Sequence, residues 1–141
     1  MFKLFLIEDN EGDILLISEA LEDLHVPLQV SFVKDGQEAV SFFNSCINGG
    51  LDLLPDLVLL DINLPRKNGQ EVLQFIKSST DLKQVPVIML STSSSHQDIL
   101  ESYQNQANSF ISKPVGAEGY QDIFQKIEDF WFSLAQLPSK I

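Results

Sequence analysis

The sequence predicts an α/β fold: a five-stranded parallel sheet with helices on both faces. Three observations carry this. Short apolar runs alternate along the chain with longer amphipathic stretches. Two of the runs, Leu57-Val58-Leu59-Leu60 and Val87-Ile88-Met89-Leu90, are apolar throughout, the pattern of strands buried on both faces. Each run stops at polar or turn residues and an amphipathic stretch follows, so successive strands are joined by helical crossovers.

The elements follow in order. Residues 3–7 form the first strand, which stops at Glu8-Asp9. Asn10 to Asp13 offer cap chemistry for a helix over about 12–25, with Ile14, Ile17, Leu21 and Leu24 on one face and Pro27 as its stop. Residues 28–33 are a second strand whose looser alternation suits a sheet edge. Asp35-Gly36 turns into a helix carrying Ala39, Phe42, Phe43 and Ile47, ended by Asn48-Gly49-Gly50. Residues 51–55 are a loop with exposed apolar residues. The third strand ends at Asp61, and the loop Pro65-Arg66-Lys67-Asn68-Gly69 leads to a helix over 69–79 with Val72, Leu73 and Ile76 inward. After a connector at 81–86, the fourth strand runs into Ser91-Thr92-Ser93-Ser94-Ser95. Ser95 or a neighbour caps a helix bearing Ile99, Leu100 and Tyr103. Residues 108–112 form a short fifth strand with Phe110 and Ile111, and Lys113-Pro114 follows. The last helix, about 117–135, has an apolar stripe of Tyr120, Ile123, Phe124, Ile127, Phe130, Trp131, Leu134 and then Leu137. That stripe outlasts the sheet it should cover, so part of it is expected to meet something other than the chain's own core.

The 141 residues, 44% hydrophobic, are sized for one domain with a real core, expected as a single unit over 1–141 with no output domain. A net charge of −11 argues against nucleic acid and anionic membrane surfaces as partners, because no basic patch exists. The single cysteine, Cys46, excludes an intrachain disulfide and reads as a small buried hydrophobe. With no signal peptide and no apolar run of membrane length, a cytoplasmic location is expected.

Five strands in this alternation favour the flavodoxin-like order 2-1-3-4-5, with right-handed crossovers. In that order Glu8 and Asp9, Asp61, Ser91 and Lys113 all stand at the carboxyl rim of the sheet, where open α/β sheets bind ligands. Three carboxylates this close repel one another unless a cation neutralises them. An all-oxygen donor set that keeps waters favours Mg²⁺. Lys113 adds a positive charge for a phosphate, and Ser91 a hydrogen bond. In-line positioning with charge neutralisation is most of what phosphoryl transfer requires.

These residues resemble the receiver domains of bacterial two-component response regulators over nearly the whole chain. The resemblance is carried by Glu8-Asp9, Leu59-Leu60-Asp61-Ile62-Asn63-Leu64-Pro65, Gly69, Pro86-Val87-Ile88-Met89-Leu90-Ser91 and Lys113-Pro114. It implies that Asp61 is the phosphoacceptor, loaded by a sensor histidine kinase, and that the protein is a switch with autodephosphorylation rather than a conventional enzyme. It implies Mg²⁺ on Asp9 and Asp61, on Glu8 through water, and on the Asn63 backbone carbonyl. Lys113 pairs with the phosphoryl group, Ser91 and Phe110 form the switch pair, and the Lys113–Pro114 bond is expected to be cis. Ser91 stands where threonine is usual, and Phe110, where tyrosine is common, has no hydroxyl for a partner to read. Asp9-Asn10 with Asp13, the loop around 48–54, Leu64-Pro65-Arg66-Lys67-Asn68-Gly69 and Phe130-Trp131-Phe132 to Leu137-Pro138 look like single-domain regulators paired with phytochrome-type histidine kinases. This implies a homodimer through the face of the fourth helix, fifth strand and fifth helix.

Plainer readings stand beside these. Asp61 alone would be a strand-end cap, Lys113 a solvated lysine, Ser91 a capping serine and Phe110 a core residue. His25 and His96 are isolated and read as surface residues, not ligands. Three other functions compete. An aspartyl-nucleophile phosphatase usually carries a second aspartate two residues on, where this chain has Asn63. A flavin carrier needs a phosphate-binding loop where Glu8-Asp9-Asn10-Glu11 would repel one. A pseudo-receiver that only binds partners should lack a member of the set, and none is missing.

Overall fold

The computed structural model describes residues 1–93 and 95–138. Its sheet has five parallel strands: β1 (Phe2–Ile7), β2 (Leu28–Val33), β3 (Leu57–Leu60), β4 (Val87–Ser91) and β5 (Ser109–Ser112). Their order is β2-β1-β3-β4-β5, the order expected of a flavodoxin-like sheet. The helices are α1 (Glu11–Glu22), α2 (Gly36–Ile47), α3 (Gly69–Ser78), α4 (His96–Gln104) and α5 (Gly116–Ile127). Leu51–Leu53 form a 3₁₀ turn in the loop before β3, with Leu51 and Leu53 exposed as expected.

The pleat divides the core. Phe5, Ile7, Val58, Leu60, Val87 and Met89 face α2 and α3, whose Phe43, Val72, Leu73 and Ile76 are fully buried. Leu4, Leu6, Leu57, Leu59, Ile88 and Leu90 face α1 and α5, meeting Ile17, Ala20, Tyr120 and Phe124. Both sides of β1, β3 and β4 are therefore covered, which is why these strands carry no alternation. Cys46 is buried on α2, and burial pushes its thiol pKa up.

The last helix departs from the α-helical stripe. From Glu128 to Leu134 it winds as a π-helix. The extra residue per turn moves the inward face on by one position. Phe132, not Trp131, becomes the buried aromatic and lies 4.8 Å from the ring of Phe2, while Phe130 and Leu134 point outward at 49% and 72% exposure. Glu128, on the same α-helical face as Tyr120 and Phe124, is buried too, and its carboxylate accepts the backbone N–H groups of His25 (2.7 Å) and Val26 (2.9 Å). Burial alone would raise its pKa, but these bonds, with those from the His25 ring and Gln125, hold it below the usual range. Because Glu128 takes these two amides, α1 ends at Glu22, earlier than its apolar spacing indicated. His25 has an exposed ring, as expected of a surface residue, but is not isolated: its Nδ1 is 3.2 Å from Glu128.

The Lys113–Pro114 bond is trans, against the expected cis form. Proline lowers the cost of cis without removing the preference for trans. Here the chain turns instead at Gly116, whose φ of +82° lies in the region glycine favours, and Pro114 packs against Gly119, where a Cβ would lie 2.5 Å from it.

Candidate functional site

The carboxyl rim collects the polar strand ends. The N–H of Asp61 donates to the carbonyl of Ile7 (3.0 Å), which sets the end of β3 against the end of β1. The N–H of Lys113 donates to the carbonyl of Ser91 (2.8 Å), joining β5 to β4 in the same way. Gly69 opens α3 directly beneath the acceptor candidate. Its N–H donates to Ile62 (2.7 Å), and a Cβ there would lie 2.1 Å from the carbonyl oxygen of Asp61, so only glycine fits.

Carboxylate oxygens of Glu8, Asp9 and Asp61 lie within 4.8 Å of one another. Glu8 and Asp61 are buried and Asp9 is exposed. Such a set of hard oxygens, with one member open to solvent, fits a divalent cation that keeps part of its hydration. The Nζ of Lys113 lies 2.6 Å from Glu8, 2.9 Å from Asp13 and 3.1 Å from Asp61. Burial drives the pKa of Glu8 up, and the hydrogen bond and charge of Asp61 add to this against the opposing pull of Lys113, to about 7. Burial would lower the pKa of Lys113, yet its hydrogen bonds to Asp13 and Glu8 and the charge of Asp61 raise it. The ammonium is thus locked in its charged form.

Ser91 is fully buried, and its Oγ accepts the N–H of Ser93 (3.2 Å). Phe110 stands across from Met89, two residues before the level of Ser91, and packs on the α2–α3 side of the core. Its N–H donates to the hydroxyl of Tyr103 on α4 (3.2 Å). The backbone N–H of Asn63 donates to Asp61 Oδ1 (3.3 Å). The rim therefore brings together Glu8, Asp9, Asp61 and Lys113, while Ser91 and Phe110 flank them on the α4 side.

Sequence reasoning did not place two further residues at the site. Asp13, in the first turn of α1, accepts Lys113 on one oxygen and the hydroxyl of Tyr120 on the other (3.1 Å). Tyr120, on α5, was read only as part of the apolar stripe. Burial raises its phenol pKa, as do the charge and hydrogen bond of Asp13. The available signal was weak, because a first-turn carboxylate already fits the helix dipole and the Asn10 cap.

Chemically, the arrangement offers a buried carboxylate as nucleophile, a fixed ammonium beside it and an oxygen cradle for a divalent cation.

The response regulator receiver domain family matches residues 4–127. The chain is similar to the phosphorylated cyanobacterial phytochrome response regulator RcpA, with a TM-score of 0.89 and 45% identity over 97% of this chain and 98% of that one. It is 34% identical to response regulator Rcp1 of Synechocystis sp. over 96% of this chain and 92% of Rcp1. The Mn²⁺-bound form of Rcp1 superposes with a TM-score of 0.88 at 33% identity, over 98% of this chain and 99% of that one. The probable methanogenesis regulatory protein FilR2 of Methanothrix harundinacea is 35% identical over 97% of this chain and 88% of its own length.

Proposed function

The chain belongs to the response regulator receiver domain family, and from that membership we propose that Asp61 is its phosphoacceptor, loaded by a histidine kinase of the phytochrome type. The observation that carries the reading is Lys113: a buried ammonium 3.1 Å from Asp61, on the same rim as three clustered carboxylates.

In the transfer, an Asp61 oxygen attacks phosphorus while the bond from phosphorus to the kinase histidine nitrogen breaks. The electron pair stays on that nitrogen; with a proton on the ring's other nitrogen the leaving group is a neutral imidazole, and an acyl phosphate is left on Asp61. Lys113 offsets charge on the phosphoryl oxygens. Asp9 and Asp61, Glu8 through water, and the Asn63 carbonyl would hold Mg²⁺, which would supply Lewis-acid neutralisation of that charge. Ser91 then leaves the Ser93 N–H for a phosphoryl oxygen, and Phe110 follows into the vacated space. The output is a protein contact on the α4 side. A homodimer through α4, β5 and α5 fits the exposed Phe130 and Leu134 and the apolar groove of Ile111, Ile123, Ile127 and Trp131. A cytoplasmic location follows from the kinase partner; among the described residues no helix is long and apolar enough to cross a membrane.

Intact-mass spectrometry after incubation with acetyl phosphate tests the reading. We expect a phosphoryl adduct that requires Mg²⁺ and is lost in Asp61→Asn, and sedimentation of the same samples as a dimer. Folded wild-type protein without an adduct would overturn the acceptor assignment and leave a pseudo-receiver that only binds partners.

A further inference from the structure

Lys113 has three N–H donors and three carboxylate partners: Glu8, Asp13 and Asp61. Its side chain is only 4% exposed, so water does not supply a fourth site. A phosphoryl group arriving on Asp61 therefore finds this ammonium already hydrogen-bonded to Asp13 and Asp61 and ion-paired with Glu8. One existing partner has to yield. Glu8 and Asp61 belong to the carboxylate cluster that fits a cation. Asp13 does not; it comes from a different element, and its second oxygen is fixed by the hydroxyl of Tyr120 on α5. Tyr120 is itself buried against Phe124, with ring centroids 6.5 Å apart, so the tether is rigid.

We propose that Asp13 is a positioning residue that competes with the phosphoryl group for Lys113, and that Tyr120 anchors it in that role. The inference rests on the reading of Asp61 as phosphoacceptor. Asp13 holds the ammonium back until the donor's phosphoryl oxygens outbid a carboxylate that is already in place. It thereby sets the donor concentration at which the protein loads. Release of Lys113 from Asp13 also frees one oxygen of the carboxylate that holds Tyr120, which gives α5 a direct report of loading.

The test is the rate of phosphoryl adduct formation against acetyl phosphate concentration at saturating Mg²⁺, for wild type, Asp13→Asn and Tyr120→Phe. Asparagine keeps the shape and an acceptor for Tyr120 while removing the negative charge that faces Lys113. We expect the half-saturating acetyl phosphate to fall about tenfold in Asp13→Asn, the scale of one weakened charge-assisted hydrogen bond, with the limiting rate little changed. Tyr120→Phe should shift it the same way by about two- to threefold, since the charge stays and only its anchor goes. A purely structural role would lower the melting temperature and leave the half-saturating concentration where it was; that result overturns the proposal. So does a rise in the half-saturating concentration, which would mean that Asp13 holds Lys113 ready for the phosphoryl group. Failure of the wild type itself to load would overturn the acceptor reading, and this inference with it.

Discussion

α3 and α4 each follow a strand whose end builds the site, yet they are held by different forces. α3 begins with a reciprocal cap between Asn68 and Glu71 and buries Val72, Leu73 and Ile76 completely. Its first residue, Gly69, is wedged against the backbone of Asp61. α4 buries Ser102 alone and leaves Leu100 and Tyr103 in solvent. What holds it is polar: Gln70 Nε2 donates to Ser102 Oγ (2.9 Å), and Asn105 Nδ2 donates to Gln70 Oε1 (3.0 Å). Ser93 and Tyr103 add hydrogen bonds at its two ends. Apolar burial is non-directional and large, so α3 cannot move without losing the core. Hydrogen bonds contribute about 0.5–1.5 kcal/mol each, so a helix held by a few of them can be re-seated by one new charge. The helix proposed to read the site is thus the one the core does not grip, and Gln70, next to Gly69, joins the two.

The largest expected effect separates the helices by burial. Leu73→Ala on α3 should cost about 2–5 kcal/mol in denaturant unfolding, while Leu100→Ala on α4 should stay within about 0.5 kcal/mol. Similar losses at both positions would erase the distinction.

The next concerns the rim beneath them. Burial pushes Glu8 up to about 7 in the fold from its ordinary 4.5. A raised carboxylate contributes stability fully at pH below about 4.5, and that contribution is lost as pH rises through 7. In the presence of a chelator, stability should therefore fall between pH 5 and pH 8, by on the order of 2–3 kcal/mol. Glu8→Gln should flatten this slope, and Mg²⁺ should stabilise more at pH 8 than at pH 5.5. Metal-free protein that gains stability over this range would contradict the assignment.

The smallest effect is local. Gln70→Leu keeps the apolar bulk on α3 but removes both bonds to α4. Amide exchange in α4 should quicken about tenfold, the scale of one or two hydrogen bonds, with α3 unchanged. Equal acceleration in both helices would show that they open together and that the polar latch is not what separates them.

Much of the site was legible because strands are local objects. Leu57-Val58-Leu59-Leu60, bounded by turn residues, reads as a buried strand, and its position places Asp61 at a rim. The same logic placed Glu8, Ser91 and Lys113. Asp13 was not legible as a partner of Lys113: the pair is 100 residues apart in sequence, and the contact depends on how α1 seats against α5. The polar latch on α4 was hidden for a similar reason, since Gln70 and Ser102 look like ordinary surface residues of two amphipathic helices.

By itself, then, the sequence determined the strands and the polar residues at their ends, because apolar runs and turn residues act within a few neighbours, while the strand order was an expectation taken from the known flavodoxin-like topology. Tertiary structure alone decided the rest. It set the π-helical turn that puts Phe132 inside in place of Trp131, the trans Lys113–Pro114 bond, the three-way division of Lys113 and the light hold on α4. Each of these depends on where a distant element packs, and a buried polar group takes whichever partner the finished packing brings within reach.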